Sequence, residues 1–382
     1  PSFTPLRAPR DTCDWAAQLD GSAVVQQDPK LQEFVPQLRQ RFHTLTETLG
    51  ALEGAFGSLQ AFASAHSLFG LQRVHADGVS GYTYREWLPN AKAVFLFGDF
   101  NNWDRTSHPL HRERWGVAPH FFEAPLGALR GTKAEGPPGA AEAHLSSVWS
   151  IFIPDLPDGT PALRHRCRLR VLIVPKEGEP IDRVPSWSRV VWRSEDSGLF
   201  NAVLWNPPEE EKYHFRFPRP RVPPGVAPAI YEVHIGSSSG EEGRVGNFVE
   251  FTETLLPRIK NLGYNTLLLL DVVEHADFAS FGLYVTNHFA VSSRLGTVEE
   301  FKALVDRAHA LGLRVLLSLC HAHSSKNVMD GLGCMDGGDN NYFVSGPSGV
   351  VEEAKVFDLS KMEVVRFLLS NISYWITEFQ CV

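Results

Sequence analysis

Histidines and cysteines gather in one short stretch of the sequence. Cys320, His321 and His323 lie almost side by side, and Cys334 follows a little further along. Thiolate and imidazole groups are the ligands that zinc prefers in proteins. Their spacing here, however, matches no standard zinc-binding pattern. We therefore predict no metal site and no cofactor, and we consider the histidines as hydrogen-bonding groups instead.

Three tryptophans could provide flat binding platforms: Trp87, Trp103 and Trp187. An indole ring is wide and largely apolar, so it can stack on the face of a sugar ring. The same side chain is also a common component of a hydrophobic core. The sequence leaves both interpretations open for each of the three residues.

The composition excludes several classes of protein. Hydrophobic residues make up 43% of the 382 residues, and no apolar run approaches the roughly 18 residues of a membrane span. The formal net charge of −8 disfavours a nucleic-acid partner, because phosphates would be repelled by the average surface. The cysteines are odd in number and scattered, which indicates a reducing compartment. They are Cys13, Cys167, Cys320, Cys334 and Cys381.

The elements that would position these side chains fall into three parts. Residues 1–69 show helical periodicity. Residues 70–217 alternate with a period of two between Gly and Pro turns, which predicts a β-sandwich. An insertion rich in Ala, Gly and Pro near 119–147 is predicted to be flexible. After a proline-rich linker, residues 218–382 alternate strands with helices, which predicts a parallel sheet and leaves a barrel and an open sheet as alternatives.

Within the last part, individual elements can be predicted from local signals. Thr297 to Glu300 is a capping box that begins a helix, and Gly263 is placed to end one. The predicted strands are Ile230–Ile235, Thr266–Val273 and Leu313–Cys320. The core faces predicted for the three helices are, in order, Phe248, Phe251, Leu255, Ile259 and Leu262; Phe301, Leu304, Val305 and Ala308; and Val365, Leu368, Leu369, Ile372, Ile376 and Phe379.

Three blocks of sequence resemble the starch and glycogen branching enzymes. Residues 97–103, with the sequence GDFNNW after Phe97, resemble the carbohydrate-binding sandwich that precedes branching enzymes and isoamylases. Residues 206–213 and 231–236 resemble the passage into the branching-enzyme barrel. Residues 274–297 contain EH, ASFG, VTN, SSR and GT in that family's order and spacing. The resemblance extends from about Asp28 to the C-terminus, interrupted by the insertion.

The resemblance implies a multidomain fold. An N-terminal helical segment would precede an all-β immunoglobulin-like sandwich, the carbohydrate-binding module. The first three β/α units of a TIM (β/α)8 barrel of the α-amylase type would follow. Because three units do not close a barrel, we expect an open strand edge that needs a partner to be stable.

The resemblance also implies a chemistry. Branching enzymes cut an α-1,4 glucan and rejoin the fragment through an α-1,6 bond, which needs two carboxyl groups roughly 5 Å apart. In that family the nucleophile follows the fourth barrel strand, within a motif of the form Asp-Gly-Phe-Arg-Phe-Asp. The sequence ends at Val382, a few residues before that motif would begin. No catalytic carboxylate is therefore expected in this chain.

Sugar-binding positions of the family are only partly present. His323 matches the histidine that hydrogen-bonds the sugar at the cleavage site, and the ends of barrel strands suit that role. The usual aspartate of the third strand is Ser318. The family's stacking tyrosine is replaced by Leu283, with Tyr284 next along. These departures place the activity in question.

Five further residues are candidates for contacts with substrate: His275, Asn287, His321, Asp336 and Tyr342. The two histidines could instead be structural groups at strand ends. The last two residues could line the groove or belong to a turn, since adjacent glycines are typical of turns.

The function implied is that of a 1,4-alpha-glucan branching enzyme homologue in starch or glycogen biosynthesis, with this chain inactive by itself. One alternative is a non-catalytic α-glucan-binding or scaffold protein, and another is a debranching or trehalose-releasing hydrolase. The expected partner is an α-glucan such as starch, glycogen or amylose, with other proteins of starch metabolism as further candidates. We expect neither nucleic acid nor a membrane as partner, and a plastid stroma or cytoplasm rather than secretion.

Overall fold

The computed structural model describes residues 20–76, 78–114, 145–221, 223, 225–338 and 341–381. The described residues form two compact units, the first ending at Phe62 and the second beginning at Ala63. The predicted flexible insertion lies outside the described residues, except for 145–147, which belong to a strand. In the described part of the chain, no helix has both the length and the apolar character of a membrane span.

The first unit is helical in its described part, as the periodicity predicted. Short 3-10 turns at Ser22–Gln26 and Pro29–Phe34 lead into helix α1 (Val35–Phe56), and α2 (Leu59–Phe62) follows. Asp28 accepts a hydrogen bond from the backbone of Lys30 and so caps the second turn. Gly57 ends α1 with a φ of 81°, a left-handed conformation that glycine adopts at little cost.

The second unit begins with two antiparallel sheets. One has the strand order β1-β2-β5-β4, and the other has the order β3-β6-β9-β8 with β7 beside β6. Alternate residues of their strands point inwards to a shared core, which confirms the predicted sandwich. The strands are β1 (Gly70–Ala76), β2 (Val79–Trp87), β3 (Ala91–Gly98), β4 (His111–Arg114), β5 (Leu145–Pro154), β6 (Arg168–Pro175), β7 (Ile181–Arg183), β8 (Val191–Arg193) and β9 (Phe200–Val203).

Three parallel strands follow, in the order β10-β11-β14. Each is shorter than predicted, because the chain turns away soon after the paired segment. Two small antiparallel sheets, β12-β13 and β15-β17-β16, extend from their C-terminal ends. The strands are β10 (Ile230–Val233), β11 (Thr266–Leu269), β12 (Val273–Glu274), β13 (Asn287–Val291), β14 (Arg314–Leu317), β15 (His323–Ser325), β16 (Val350–Val351) and β17 (Ala354–Val356).

Helices connect these strands, and the first departs from its predicted face. It consists of α3 (Phe248–Glu250), a π-helical turn (Phe251–Leu255) and α4 (Leu256–Asn261). A π-turn inserts one extra residue into the helical repeat. Leu256 is fully buried beside Leu255, which is partly buried against the same core. Leu262 is 72% exposed, so the prediction was wrong for Leu262.

The next helix, α5 (Val298–Ala310), begins and packs as predicted. Thr297 accepts a hydrogen bond from the backbone N–H of Glu300, whose carboxylate accepts one from the backbone of Thr297 in return. These two bonds satisfy N–H groups that a helix start leaves unpaired. All four predicted core residues of α5 are buried.

The last helix, α6 (Met362–Phe379), buries two of its predicted core residues, Leu368 and Phe379, together with aromatic residues that the periodicity did not indicate. Ile372, expected in the core, is 38% exposed. Phe367 packs edge-on against Phe289 of β13, and Trp375 packs against Phe301 of α5. Aromatic rings bury more surface than the aliphatic stripe beside them, so they determine which side of α6 faces the core.

The loop that follows β15 makes hydrogen bonds to the sandwich and so connects it to the part of the chain that contains the three parallel strands. Asp336 accepts a hydrogen bond from the backbone N–H of Asn90 at 2.7 Å. Asp330 accepts one from the backbone of Phe200 at 2.9 Å. Trp187 of the sandwich stacks between Phe69 and Phe289. The two parts thus share a packed core, and the domain boundary near residue 217 stays a prediction.

Candidate functional site

The C-terminal ends of the three parallel strands carry most of the polar side chains of interest. His234 follows β10, Asp271 follows β11, and Ser318 follows β14. Parallel strands bring their C-terminal ends to the same edge of a sheet, which is where barrel proteins place their sites. Two clusters lie at this edge, one beside β10 and β11 and one beside β14.

The first cluster is organised by a buried carboxylate. Asp271 is 1% exposed and accepts hydrogen bonds from the backbone N–H groups of Ile235 at 2.9 Å and Gly236 at 2.8 Å. The Nδ1 atom of His234 lies 3.3 Å from the same carboxylate. Asp271 therefore holds the turn after β10 in place and sets the position of the imidazole. Neither residue was predicted, because both lie within the predicted strands Ile230–Ile235 and Thr266–Val273; a polar residue that interrupts an apolar run was the available signal.

A cleft of about 150 Å³ opens beside this carboxylate. Its lining includes His234, Asp271, His275, Phe281 and Arg294. His275 is buried, and its Nδ1 lies 2.8 Å from the carbonyl oxygen of Val273. Burial lowers the pKa of His275 and favours the neutral ring. The structure thus brings one of the predicted histidines to the cleft wall.

The neighbouring hairpin is held by a buried acid. Glu274 accepts hydrogen bonds from the backbone N–H groups of His275 at 3.2 Å and Ser293 at 2.7 Å. Burial raises the pKa of Glu274 to about 7. Asn287 pairs with Glu274 across the hairpin and is itself buried. Asn287 therefore belongs to the hairpin behind the cleft and is not one of the residues that line it.

The second cluster contains two more of the predicted residues. The rings of Tyr284 and His323 lie 6.1 Å apart. The hydroxyl of Tyr284 donates a hydrogen bond to Glu352 at 2.6 Å. The Nε2 atom of His323 is 3.5 Å from the sulfur of Cys320. These side chains form a polar shelf beyond β14, next to the exposed Ser318, where the family's usual carboxylate is absent.

His321 has a different environment from His323. Its Nε2 lies 2.8 Å from Oδ1 of Asn371 on α6. Asn371 in turn donates a hydrogen bond to the backbone of His288 at 2.6 Å. Burial lowers the pKa of His321 and lowers that of the fully buried His288 to about 3. These contacts give His321 a structural partner, which is the alternative that the sequence had left open.

Four predicted contact residues lie in the protein interior. Asp336 and Tyr342 are buried where the loop after β15 meets the sandwich, and Tyr342 packs edge-on against Trp87. Trp87 and Trp187 are buried as well. A glucan could reach these four side chains only by displacing the residues that pack against them. Trp103, by contrast, is partly exposed on the sandwich.

Metal binding can be considered for the described residues only. Among them, no group of three or more His, Cys, Asp and Glu side chains is arranged to hold a metal ion. Cys320 and His323 are in contact, but Cys334 accepts hydrogen bonds from Arg183 through its carbonyl oxygen, in the joint with the sandwich. Cys334 is thus separated from Cys320 and His323 in the folded chain.

Gly282 holds the loop that borders the cleft, and we expect its replacement by alanine to destabilise the protein. Its φ is +84°, and a Cβ atom would lie 3.0 Å from both Asp271 Cα and the carbonyl oxygen of Leu270. Gly282→Ala should therefore lower the free energy of unfolding by about 2 kcal/mol, measured by urea denaturation. Gly243→Ala is the control, because Gly243 has a φ of +75° and open space around it. Equal losses for the two variants would show that the contact with the strand end has no effect.

Part of the sandwich matches a known protein family. The family model described as Carbohydrate-binding module 48 (Isoamylase N-terminal domain) matches residues 68–128. This range covers the first strands of the sandwich and the predicted block at 97–103. The sandwich is therefore similar to a carbohydrate-binding module.

Curated relatives match nearly the whole chain. The 1,4-alpha-glucan-branching enzyme of Aspergillus oryzae is 40% identical over 363 residues, which cover 94% of this chain and 47% of the relative. That of Dictyostelium discoideum is 38% identical over 96% of this chain and 48% of the relative. The chloroplastic/amyloplastic branching enzyme 2-2 of Arabidopsis thaliana is 38% identical over 94% of this chain and 40% of the relative. The chain spans about half the length of these relatives or less.

Solved structures support the fold. The catalytic module of the pneumococcal glycogen-degrading virulence factor SpuA has a TM-score of 0.59 at 14% identity, over 85% of this chain and 47% of that one. Pullulanase from Bacillus acidopullulyticus has a TM-score of 0.57 at 14% identity, over 82% and 37%. Identities this low establish the arrangement of a sandwich followed by part of a barrel, and nothing more. The sequence matches, and not these structures, show that the chain is homologous to part of the 1,4-alpha-glucan-branching enzymes, over about half of their length.

Proposed function

We propose that this chain supplies the glucan-binding half of a 1,4-alpha-glucan branching enzyme. Such an enzyme cleaves an α-1,4 glucan and transfers the fragment to form an α-1,6 branch during starch or glycogen synthesis. The observation that carries the proposal is the sequence match of 38–40% identity, which runs through the sandwich and all three strand ends. Polar clusters at those strand ends, beside a cleft, are what a neutral sugar polymer would need.

The proposal divides the work between two sets of residues. Binding groups lie at the strand ends of this chain, where Tyr284 and His323 form the shelf. The catalytic carboxylates are assigned, by resemblance, to later barrel strands. Retaining glycosyl transfer depends on that pair. We therefore expect no transfer activity from the 382-residue chain alone.

The activity is tested by product analysis on amylose. The 382-residue chain and a longer protein in which the later strands follow it are each incubated with amylose, and α-1,6 linkages are measured by proton NMR. New branch points with the longer protein alone are the expected result. Hydrolysis products without branch points would favour a hydrolase with the same plan. Branching by the short chain would refute the division of roles.

A second function is favoured by two departures from the family pattern. Ser318 is exposed where a carboxylate is usual, and Leu283 is 54% exposed where the stacking tyrosine is usual. A non-catalytic α-glucan-binding protein would retain the sandwich and the strand ends while losing these groups. It would bind soluble starch and introduce no branch points, even in the longer form.

Trp103 is the residue through which the sandwich is expected to bind glucan. Its Nε1 donates a hydrogen bond to Asp99 at 3.0 Å, and its ring meets Phe97 edge-on, so the indole is held rigidly at the surface. Trp103→Ala should weaken binding to amylopectin about tenfold, since one stacking platform is lost. Affinity electrophoresis measures the effect, and Trp192→Ala, at another partly exposed tryptophan, is the control. Equal retardation of both variants would exclude Trp103 as the platform.

A further inference from the structure

We propose that the cleft beside β10 and β11 binds one glucosyl unit of an α-glucan, with Phe281 as its stacking platform. We further propose that the glucan continues into the adjoining groove. The choice of ligand rests on the proposed function. The site itself rests on five observations: an exposed aromatic ring, two buried polar atoms, the volume of the cleft, its continuity with a groove, and the pairing of nearby charges.

Phe281 is an exposed aromatic ring in an unfavourable backbone conformation. The residue is 59% exposed, and its φ of 53° lies in the left-handed region. Non-glycine residues adopt that region at a cost of about 1 kcal/mol or more, and such residues concentrate at binding sites. The ring stands edge-on to His234 with 5.3 Å between centroids. One face of a flat apolar ring therefore remains available at the mouth of the cleft, and Gly282 fixes its position against the end of β11.

Two polar atoms in the cleft wall have no hydrogen-bond partner among the described residues. They are Nε2 of His234 and Oγ of Ser292. The backbone N–H of Ser237 and the Asp271 carboxylate both contact Nδ1 of His234, at 3.1 Å and 3.3 Å, so Nε2 is the ring nitrogen left for a ligand. Buried polar atoms are nearly always paired in native proteins. A sugar hydroxyl can donate or accept, so adjacent hydroxyl groups can pair with the imidazole nitrogen and with the serine.

The volume of the cleft admits a ligand larger than water. At about 150 Å³ it is roughly ten times the 10–15 Å³ that one water molecule needs, so a sugar ring can enter it. The cleft shares Arg294 and Leu295 with a wide polar groove of about 580 Å³. The guanidinium of Arg294 lies 3.7 Å from the centre of the Phe278 ring, which holds it flat between the two cavities. An oligosaccharide with one unit in the cleft can therefore extend along the groove.

The charges along the groove favour a neutral ligand. Arg244 pairs with Glu241 and Glu250, at 2.7 Å to each carboxylate. Glu253 and Glu300 add further negative charge to the lining. The three carboxylates of the lining outnumber its two arginines, Arg244 and Arg294, so an anionic ligand would meet a net negative charge. A chain of hydroxyl groups meets only hydrogen-bonding partners.

The site is distinct from the shelf formed by Tyr284 and His323, and of its lining residues only His275 was predicted from sequence. It is tested by isothermal titration of the 382-residue chain with maltohexaose. Phe281→Ala should weaken binding about tenfold, and Ser292→Ala about threefold. Phe217→Ala replaces an exposed phenylalanine that does not line the cleft, and it should bind like the parent chain. Thermal melting curves confirm that each variant is folded.

The outcomes separate this inference from the proposed function. Retardation of the parent chain and of Phe281→Ala by amylopectin is expected, because Trp103 lies on the sandwich. If amylopectin retards the parent chain and neither Phe281→Ala nor Ser292→Ala weakens maltohexaose binding, the cleft is not a glucan site. The same conclusion follows if the parent chain binds amylopectin and not maltohexaose. If neither glucan is bound, the proposed function fails first.

Discussion

Asp271→Ala is expected to lower the free energy of unfolding by about 2–5 kcal/mol. The substitution leaves the backbone N–H groups of Ile235 and Gly236 without their acceptor. Each buried donor that loses its partner costs about 1–3 kcal/mol. The loss also frees the turn that carries His234, so the cleft should lose its shape along with its stability.

Urea denaturation followed by circular dichroism measures this effect. Asp271→Asn retains one acceptor oxygen and should lose about half as much. Asp277→Ala is the control, because that exposed carboxylate accepts one hydrogen bond, from Ala279, in a surface turn. It should cost less than about 1 kcal/mol. A loss for Asp271→Ala no greater than that of the control would contradict the role assigned to the buried carboxylate.

Glu86→Gln is expected to become more stable relative to the parent chain as the pH rises from 5 to 8. Glu86 is fully buried and accepts hydrogen bonds from Tyr84 at 2.8 Å and from the backbone of Ser186 at 3.0 Å. Burial nevertheless raises its pKa to about 7, against 4.5 when it is exposed. The folded protein thus binds more protons than the unfolded chain between these two values.

The direction of the effect follows from that difference in proton binding. The contribution of Glu86 to stability is fully present below pH 4.5 and is lost as the pH rises through 7. The total is on the order of 3 kcal/mol, since each unit of pKa shift corresponds to about 1.4 kcal/mol. A glutamine side chain does not titrate, so it makes no such pH-dependent contribution to stability. The relative gain of Glu86→Gln should therefore approach that amount by pH 8.

The comparison between variants is necessary because other groups act in the opposite direction. His275, His288 and His321 have pKa values lowered by burial, so their contributions increase as the pH rises towards 6.5. Urea denaturation at pH 5, 6, 7 and 8 on both proteins cancels these contributions. Glu177→Gln, which makes the same substitution at an exposed position, is the control. Parallel curves for the parent chain and Glu86→Gln would refute the prediction.

Local sequence signals predicted the local parts of the fold well. The capping box at Thr297 and the glycine at 263 act within one helical turn, so the residues that cause the structure are adjacent in sequence. The alternation of the sandwich strands is likewise a property of each strand. The predicted faces of the first barrel-type helix and of α6 were only partly right. Leu262 and Ile372 are exposed, because a π-turn and a set of aromatic contacts with β13 and α5 change which residues are buried. Neither is encoded in periodicity.

The candidate site was predicted less completely, because its contacts join distant segments. The sequence left Asp336 as either a groove residue or a turn residue, and its partner is Asn90, 246 positions away in the sandwich. His234 and Asp271 act as a unit only because β10 and β11 are neighbours in the sheet. Phe281 lies within the family motif ASFG, but neither its exposure nor its left-handed backbone conformation can be predicted from that motif. The resemblance identified the strand ends as the region of the candidate site, but only the structure shows which side chains are in contact there.

The most direct test of the central claim is whether the chain binds α-glucan. Native electrophoresis of the 382-residue chain through gels with and without amylopectin measures this, with a dextran gel as a control for the type of linkage. We predict retardation in amylopectin, release by added maltohexaose, and no retardation in dextran. Mobility in amylopectin equal to that of a non-binding reference protein would contradict the assignment of this chain as the glucan-binding half of a branching enzyme.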